Sequence, residues 1–382
     1  MRIRQVSLDC PGASSAQFGA RLKGLAELDP ELLLVFGDPE FFRVPTLADT
    51  LELLFPEAVR AGCSTPGAIS DGGVDDRTCV VTAVQFDHGS IKGASIEPAS
   101  ADESFAAGAR LAAKLEGPGL QAVLLFGHGR GIDGSALLRG ITKTLGAAVA
   151  GGLADGGGAS RQAFTLDSGG VSDRRIVAVG LYGQRMAIGR GSSGGWQAFG
   201  PSRRVTRCHG KVLAELDGES ALTLYKRYLG MHARQLPAAL LRYPFQMLRA
   251  QGDRDGPIRA IVGIDESRGT LQLADEIDPA GYLRLMHASS DALIDGAEVA
   301  ARDTARGDEP TGESLAMLVS CTGRQRFLGS RVAEEVEAVA AVLGADAVLA
   351  GFYARGEFGP VAARHGSRLH NQTMTVMRIG ER

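Results

Sequence analysis

Apolar runs closed by glycine, each followed by an amphipathic stretch, recur three times along the chain. Residues 32–36 (Leu-Leu-Leu-Val-Phe) form an unbroken apolar run that Gly37-Asp38-Pro39 ends. A run of this length between turn residues predicts a strand buried on both faces. A helical stretch over 47–54 follows, then a short strand ending in Gly62-Cys63-Ser64-Thr65, then an alternating strand over 79–86. The second copy has its strand at 122–126, the turn Gly127-His128-Gly129-Arg130-Gly131 and a helix over 133–145. Its short strand ends in Gly151-Gly152-Leu153-Ala154-Asp155, and residues 175–182 close it. The third begins at 315–319, turns at Ser320-Cys321-Thr322-Gly323-Arg324 and places a helix over 330–343. Strands at 348–353 and 373–379 complete it. Self-similarity of this kind predicts one supersecondary unit used three times.

The helical assignments rest on period. In the third copy Val332, Val336, Val339, Ala340 and Leu343 share one face, with Glu334, Glu335 and Glu337 off it. Between the copies, two-residue alternations at 205–208, 258–262, 271–273 and 282–286 predict further strands, and 101–115 and 290–301 predict helices. Strand-rich segments joined by short turns with interspersed helices favour an α+β protein, with layered mixed β-sheets flanked by helices. Pro237 and Pro244 mark 229–244 as the expected boundary between two domains, residues 1–229 and 230–382.

Composition adds little to this picture but excludes a good deal. Hydrophobic residues make up 44% and charged residues 22%, enough apolar material for a large core. A net charge of −3 with no sustained basic stripe argues against nucleic acid or an anionic membrane as partner. The first residues lack the apolar core of a signal peptide, and no segment reads as a membrane span. Five cysteines without paired spacing suggest free thiols in a reducing compartment, so a cytoplasmic protein is expected.

Chemistry is expected at the turns, because in α/β units ligands sit where strands end and small residues admit a polar group. The candidates there are Cys63, Ser64, Gly152, Asp155, Cys321, Arg324, Glu357, His370 and Asn371, with Asp38, His128, Arg130 and Arg355 beside them.

These stretches together resemble the FIST family of bacterial sensory-input modules. The similarity runs through Gly62-Cys63-Ser64-Thr65-Pro66-Gly67, Gly151-Gly152-Leu153-Ala154-Asp155, Gly194-Gly195-Trp196 and Glu215-Leu216-Asp217-Gly218 in an amino-terminal part. In a carboxy-terminal part it runs through Ser320-Cys321-Thr322-Gly323-Arg324, Gly351-Phe352-Tyr353, Gly356-Glu357 and Leu369-His370-Asn371-Gln372-Thr373. Ala68 departs from the pattern, which usually carries glutamate there. The resemblance implies a small-ligand sensor that acts on a signalling partner such as a histidine kinase or a cyclic-dinucleotide enzyme. It also implies, for stand-alone members, a haem-based nitric oxide sensor.

Three readings therefore stand open. A polar-ligand sensor would use Arg324, Glu357, Asp155 and His370 to meet a carboxylate and an amine. A sensor with non-covalent haem b would need an axial ligand, for which His128, His287 and His370 are the candidates. A thiol enzyme would use Cys63 or Cys321 as nucleophile with His370 as base, although adjacent His370 and Asn371 point to opposite faces of a strand.

Overall fold

A computed structural model describes residues 1–129, 131–157, 162–361 and 366–382. Arg130 lies outside the described residues. The three copies are real and longer than the sequence pattern suggests. Unit one contains β1 (Arg2–Leu8), α1 (Ser15–Ala26), β2 (Leu32–Gly37), α2 (Glu40–Arg43), α3 (Thr46–Leu54) and β3 (Val59–Ser64). A hairpin of β4 (Ala68–Ser70) and β5 (Gly73–Asp75) follows, then β6 (Cys79–Gln85). Unit two repeats this order with β7 (Ser90–Ile96), α4 (Ser104–Leu115), β8 (Leu120–Gly127), α5 (Gly134–Thr142) and β9 (Ala148–Leu153). It ends with the hairpin β10 (Thr165–Asp167) and β11 (Gly170–Ser172), then β12 (Ile176–Tyr182).

Unit three opens with β13 (Met186–Ser193) and is then interrupted by a separate sheet. The interruption carries β14 (Gln197–His209), β15 (Val212–Leu216), β16 (Glu219–Ser220), α6 (Ala221–Leu229), β17 (Phe245–Leu248) and β18 (Ile258–Arg259). It finishes with β19 (Ile261–Asp265), β20 (Thr270–Leu273) and β21 (Tyr282–His287). The segment 229–244 lies inside this inserted sheet unit, between α6 and β17. Unit three then resumes with α7 (Ser290–Asp303), β22 (Ser314–Cys321), α8 (Thr322–Leu328), α9 (Val332–Leu343) and β23 (Ala347–Ala354). The hairpin β24 (Glu357–Pro360) and β25 (Ser367–His370) and the strand β26 (Met374–Glu381) complete the chain.

The architecture is α+β, with mixed sheets flanked by helices. Each core sheet has one parallel pair, β2 with β3, β8 with β9 and β22 with β23, and antiparallel partners elsewhere. The hairpins are exchanged in a closed cycle. β4 pairs with β23 of unit three, β10 with β3 of unit one, and β24 with β9 of unit two. Each of the three core sheets therefore finishes on a strand pair that another unit supplies.

The central strands are wholly apolar because both of their faces are buried. Leu32, Leu34 and Phe36 meet Ala122, Leu124, Phe126, Leu315, Met317 and Val319 in one shared core. The alternate residues Leu33 and Val35 pack instead against α1 and α3, Val123 and Leu125 against α4 and α5, and Ala316 and Leu318 against α7 and α9. At the centre, the rings of Phe36, Phe126 and Phe352 lie with centroids 4.9, 5.6 and 5.9 Å apart. One step before this layer each unit has a glycine, Gly62, Gly151 and Gly351, paired with Val35, Leu125 and Leu318. A Cβ there would stand 1.9, 2.0 and 1.9 Å from the partner carbonyl oxygen, so only glycine fits. The inserted unit has its own core, built on Leu213, Leu222, Tyr225, Phe245, Leu271 and Leu285.

Removing one ring of the central layer leaves a cavity that three sheets share. Phe126→Ala is expected to lose about 3–5 kcal/mol in equilibrium denaturation, and Gly351→Ala to lose stability through overpacking although it adds a single methyl.

Candidate functional site

The C-terminal ends of β9, β22 and β23 open on a cleft of about 570 Å³. The core side of the cleft is polar, with Asp155, Cys321, Thr322, Arg326, Arg355, Asn371 and Gln372. The inserted unit closes the other side with Leu240, Leu241, Ile261 and Val262. A cavity with one apolar wall and a few convergent polar groups is the ordinary form of a small-molecule site.

Cys321 is the last residue of β22 and is 5% exposed, its thiol facing the cleft wall formed by the 370–373 turn. Its backbone N–H donates to the Thr373 carbonyl at 3.2 Å. The backbone N–H groups of Gln372 and Gly323 and the carboxyl of Glu357 lie beside its sulfur. A Cβ at Gly323 would stand 2.7 Å from the end of the Gln372 side chain, so glycine lets that amide seat closely. Gln372 has φ of +60°, a left-handed conformation that costs a non-glycine residue energy and clusters at functional sites. The Trp196 indole holds that turn by donating to the Gln372 carbonyl at 2.8 Å.

Glu357 is fully buried at the start of β24, directly behind Cys321. One of its oxygens accepts from the Thr373 hydroxyl at 2.9 Å and from the Thr373 N–H at 3.2 Å. The other, Oε1, has no N–H or O–H donor, and Asn371 Oδ1 and Gln372 Oε1 are likewise buried and unpartnered. Burial raises the Glu357 carboxyl to about 8, against the lowering effect of Thr373. Burial also pushes the Cys321 thiol well up, and ionisation of Glu357 pushes it further, so the thiol is protonated at neutral pH.

Two family models match this chain, the FIST N domain over residues 31–219 and the FIST C domain over residues 221–360. The chain belongs to the FIST family. FIST domains are associated with small-ligand sensing in signalling proteins. Its relatives include the uncharacterized protein Mb0898c of Mycobacterium bovis, 28% identical over 244 residues that make up 60% of each chain. The uncharacterized protein Rv0628c of Mycobacterium tuberculosis is 27% identical over 213 residues, 53% of this chain and 55% of that one. The chain thus spans about 60% of the length of the first of these relatives. Among solved structures, a cyanuric acid hydrolase from A. caulinodans aligns over 100% of this chain and 99% of its own, with a TM-score of 0.39 and 11% identity.

The FIST motifs noticed in the sequence fall into two groups in space. Asp155, Cys321 and Asn371 line the cleft, and Glu357 backs it. Asp155 is 3.8 Å from the Arg355 guanidinium across the same wall. Arg355, expected beside the candidates, completes the polar side with Arg326 and Gln372, which were not singled out as ligands from sequence.

The remaining expected residues turn away. Arg324 is a correction. It is wholly buried and bonds Glu335 at 2.7 and 3.0 Å, the Gly194 carbonyl at 2.9 Å and the Leu293 carbonyl at 2.7 Å. Glu335, expected on the polar face of α9, is also wholly buried, since Ser320 and Tyr353 donate to its second oxygen at 2.9 and 2.7 Å. Four donors replace the water that this carboxylate has lost. Cys63 lies inside the shared core with its thiol pushed well up by burial. Ser64 accepts from the Phe164 N–H at 2.9 Å and so clamps the exchanged hairpin β10. Gly152 is a packing position, where a Cβ would meet Ala354 at 2.8 Å.

The three histidines expected as haem ligands are dispersed. His370 Nε2 is bonded to the Pro360 carbonyl at 2.8 Å, and burial with the nearby Arg368 holds its ring down to about 4. His287 lies edge-on to Phe199 at 5.5 Å in the inserted unit. His128 is buried at the end of β8. No histidine among the described residues lines the cleft, so the expected axial ligands do not fit haem there. No cluster of three or more His, Cys, Asp or Glu among the described residues is placed to hold a metal ion. No helix among them is long and apolar enough to cross a membrane.

Two outcomes follow from the buried groups. Arg324→Met strands the Glu335 carboxylate and is expected to cost about 3–5 kcal/mol in chemical denaturation. The folded protein holds Glu357 neutral up to about pH 8, whereas the unfolded chain ionises it near 4.5, so stability falls as pH rises through that window. His370 acts in the opposite sense below about pH 6.5, where the unfolded chain takes up a proton that the folded one refuses. Unfolding midpoints of wild type and Glu357→Gln should therefore diverge most clearly between pH 6.5 and 8, with the variant flatter.

Proposed function

We propose that this chain is a cytoplasmic small-ligand sensor in which the cleft between the threefold core and the inserted unit is the input site. The observation that carries the reading is that this cleft divides two bodies with separate hydrophobic cores. A ligand seated there touches both, and its affinity depends on how they sit together. Their junction beside the cleft is polar. Arg259 and Asp275 form a buried ion pair at 3.0 Å, Ser135 of α5 donates to Asp275 at 2.6 Å, and Arg259 reaches the Leu369 carbonyl at 3.5 Å. Arg259 Nε and Asp275 Oδ1 have no partner, so this contact is not fully satisfied in the arrangement seen.

The chemistry of the walls selects the ligand class. Arg326 and Arg355 favour an anionic group, the orphaned oxygens of Asn371 and Gln372 favour a donor, and the leucine and isoleucine wall favours a short apolar body. A shift between the two bodies would be read by a signalling partner such as a histidine kinase or a cyclic-dinucleotide enzyme.

Trp196 is the single tryptophan and is bonded to the cleft turn, so its fluorescence reports on occupancy. Titration with glutamate, succinate, 2-oxoglutarate, isovalerate and phenylacetate should give a saturable change with at least one, weakened about tenfold or more by Arg355→Ala. No saturable change and no rise in unfolding temperature with any of them would refute the reading.

A further inference from the structure

The wall of the cleft holds more than a binding surface requires. Cys321 lines the cleft together with Gly323 and Gln372, whose backbone N–H groups lie beside its sulfur. The turn that carries Gln372 is held by the bond from Trp196, and the Gln372 amide seats closely over Gly323. Behind the thiol is a fully buried carboxyl with one oxygen that no N–H or O–H reaches. Asn371 Oδ1 and Gln372 Oε1, on residues 2% and 1% exposed, are unpartnered in the same wall. Cys63 and Cys79 line no such cleft; burial raises both thiols, joined at Cys79 by the charge of Asp38.

We propose that Cys321 is a covalent attachment point for a small anionic conjugate acceptor, an α,β-unsaturated carbonyl compound bearing a carboxylate, with Glu357 as its proton acceptor. This rests on the cleft being the ligand site. In the step, Glu357, ionised as pH rises to about 8, takes the thiol proton, and the sulfur lone pair forms an S–C bond at the β-carbon. The C=C π electrons move to the α-carbon, which receives the proton back from Glu357. The thiol adds across the double bond, nothing is oxidised or reduced, and the reverse elimination restores both partners. Arg355 and Arg326 draw the carboxylate in, while the apolar wall of the inserted unit covers the carbon skeleton. At rest the thiol is protonated, so attack waits for a bound ligand to bring the β-carbon to the sulfur while Glu357 accepts the proton.

The test is a short-pulse labelling of the full chain with 4-maleimidobutyrate and, separately, N-ethylmaleimide, with each cysteine read by peptide mass spectrometry. Cys10 is exposed and serves as the internal standard. Cys321 should be labelled in the folded protein, with a severalfold preference for the anionic reagent over the ratio seen at Cys10. Arg355→Ala should erase that preference. Glu357→Gln should slow Cys321 at least about tenfold, the low end for loss of a general base, and leave Cys10 unchanged. Cys321 left unlabelled while Cys10 is consumed would overturn the inference, as would a wild-type rate in a folded Glu357→Gln variant. Should that variant fail to fold, the wild-type labelling pattern and the anionic preference decide alone. Cys321→Ser separates the two proposals: if wild-type Cys321 is unreactive yet the serine variant still binds a carboxylate, the sensor stands and the thiol chemistry falls.

Discussion

Everything in this fold depends on three phenyl rings meeting at one point. Phe36, Phe126 and Phe352 can touch only if the parallel strand pairs that carry them converge, and those strands converge only because glycine stands beside each layer. The exchanged hairpins make the arrangement cyclic, since each unit finishes the sheet of another. A single unit would leave both a sheet edge and an apolar inner face uncovered, so the three are mutually obligatory. The convergence also brings the C-terminal ends of the parallel strands to one end of the core, and the cleft lies there.

Within that symmetric frame the third unit is the one that differs. It is split by the inserted sheet, and it carries the polar groups that the other two lack. The Arg324–Glu335 pair with Ser320 and Tyr353 joins α8, α9, β22 and β23 beneath the cleft, and reaches α7 and the start of the inserted unit through carbonyl groups. Such a node adds less to stability than its contacts suggest, because desolvation opposes it. Its effect is to fix where Cys321 and the 370–373 turn stand. The cleft surface can then hold a strained Gln372 and several unsatisfied oxygens without collapsing around them.

Much of this was readable from residue order. The triple strand, turn and helix pattern was visible because both faces of the central strands are buried, which makes residues 32–36, 122–126 and 315–319 unbroken apolar runs. The leading strands and the hairpins were not: β4, β5, β10 and β11 are three residues each, and no local signal says that a hairpin pairs in another unit's sheet. Among site residues, Cys321, Asp155, Asn371 and Glu357 were legible as chemistry at strand ends. Arg324 and Glu335 were misassigned to ligand and solvent because a charged residue beside a glycine, or off a helix's apolar face, ordinarily faces water. Only the convergence of four donors on one carboxylate reverses that, and it requires α8, α9, β22 and β23 to be in place together. Arg326 and Gln372 needed the inserted unit to define a cleft before they had a role.

The central claim is that one ligand engages both walls of this cleft. Hydrogen–deuterium exchange with and without the carboxylate that gives the largest Trp196 response tests it directly. The account predicts slowed exchange at 321–326 and 370–373 on the core wall together with 237–241 and 258–262 on the inserted wall. Protection confined to one wall, or appearing only at sites remote from both, would contradict it.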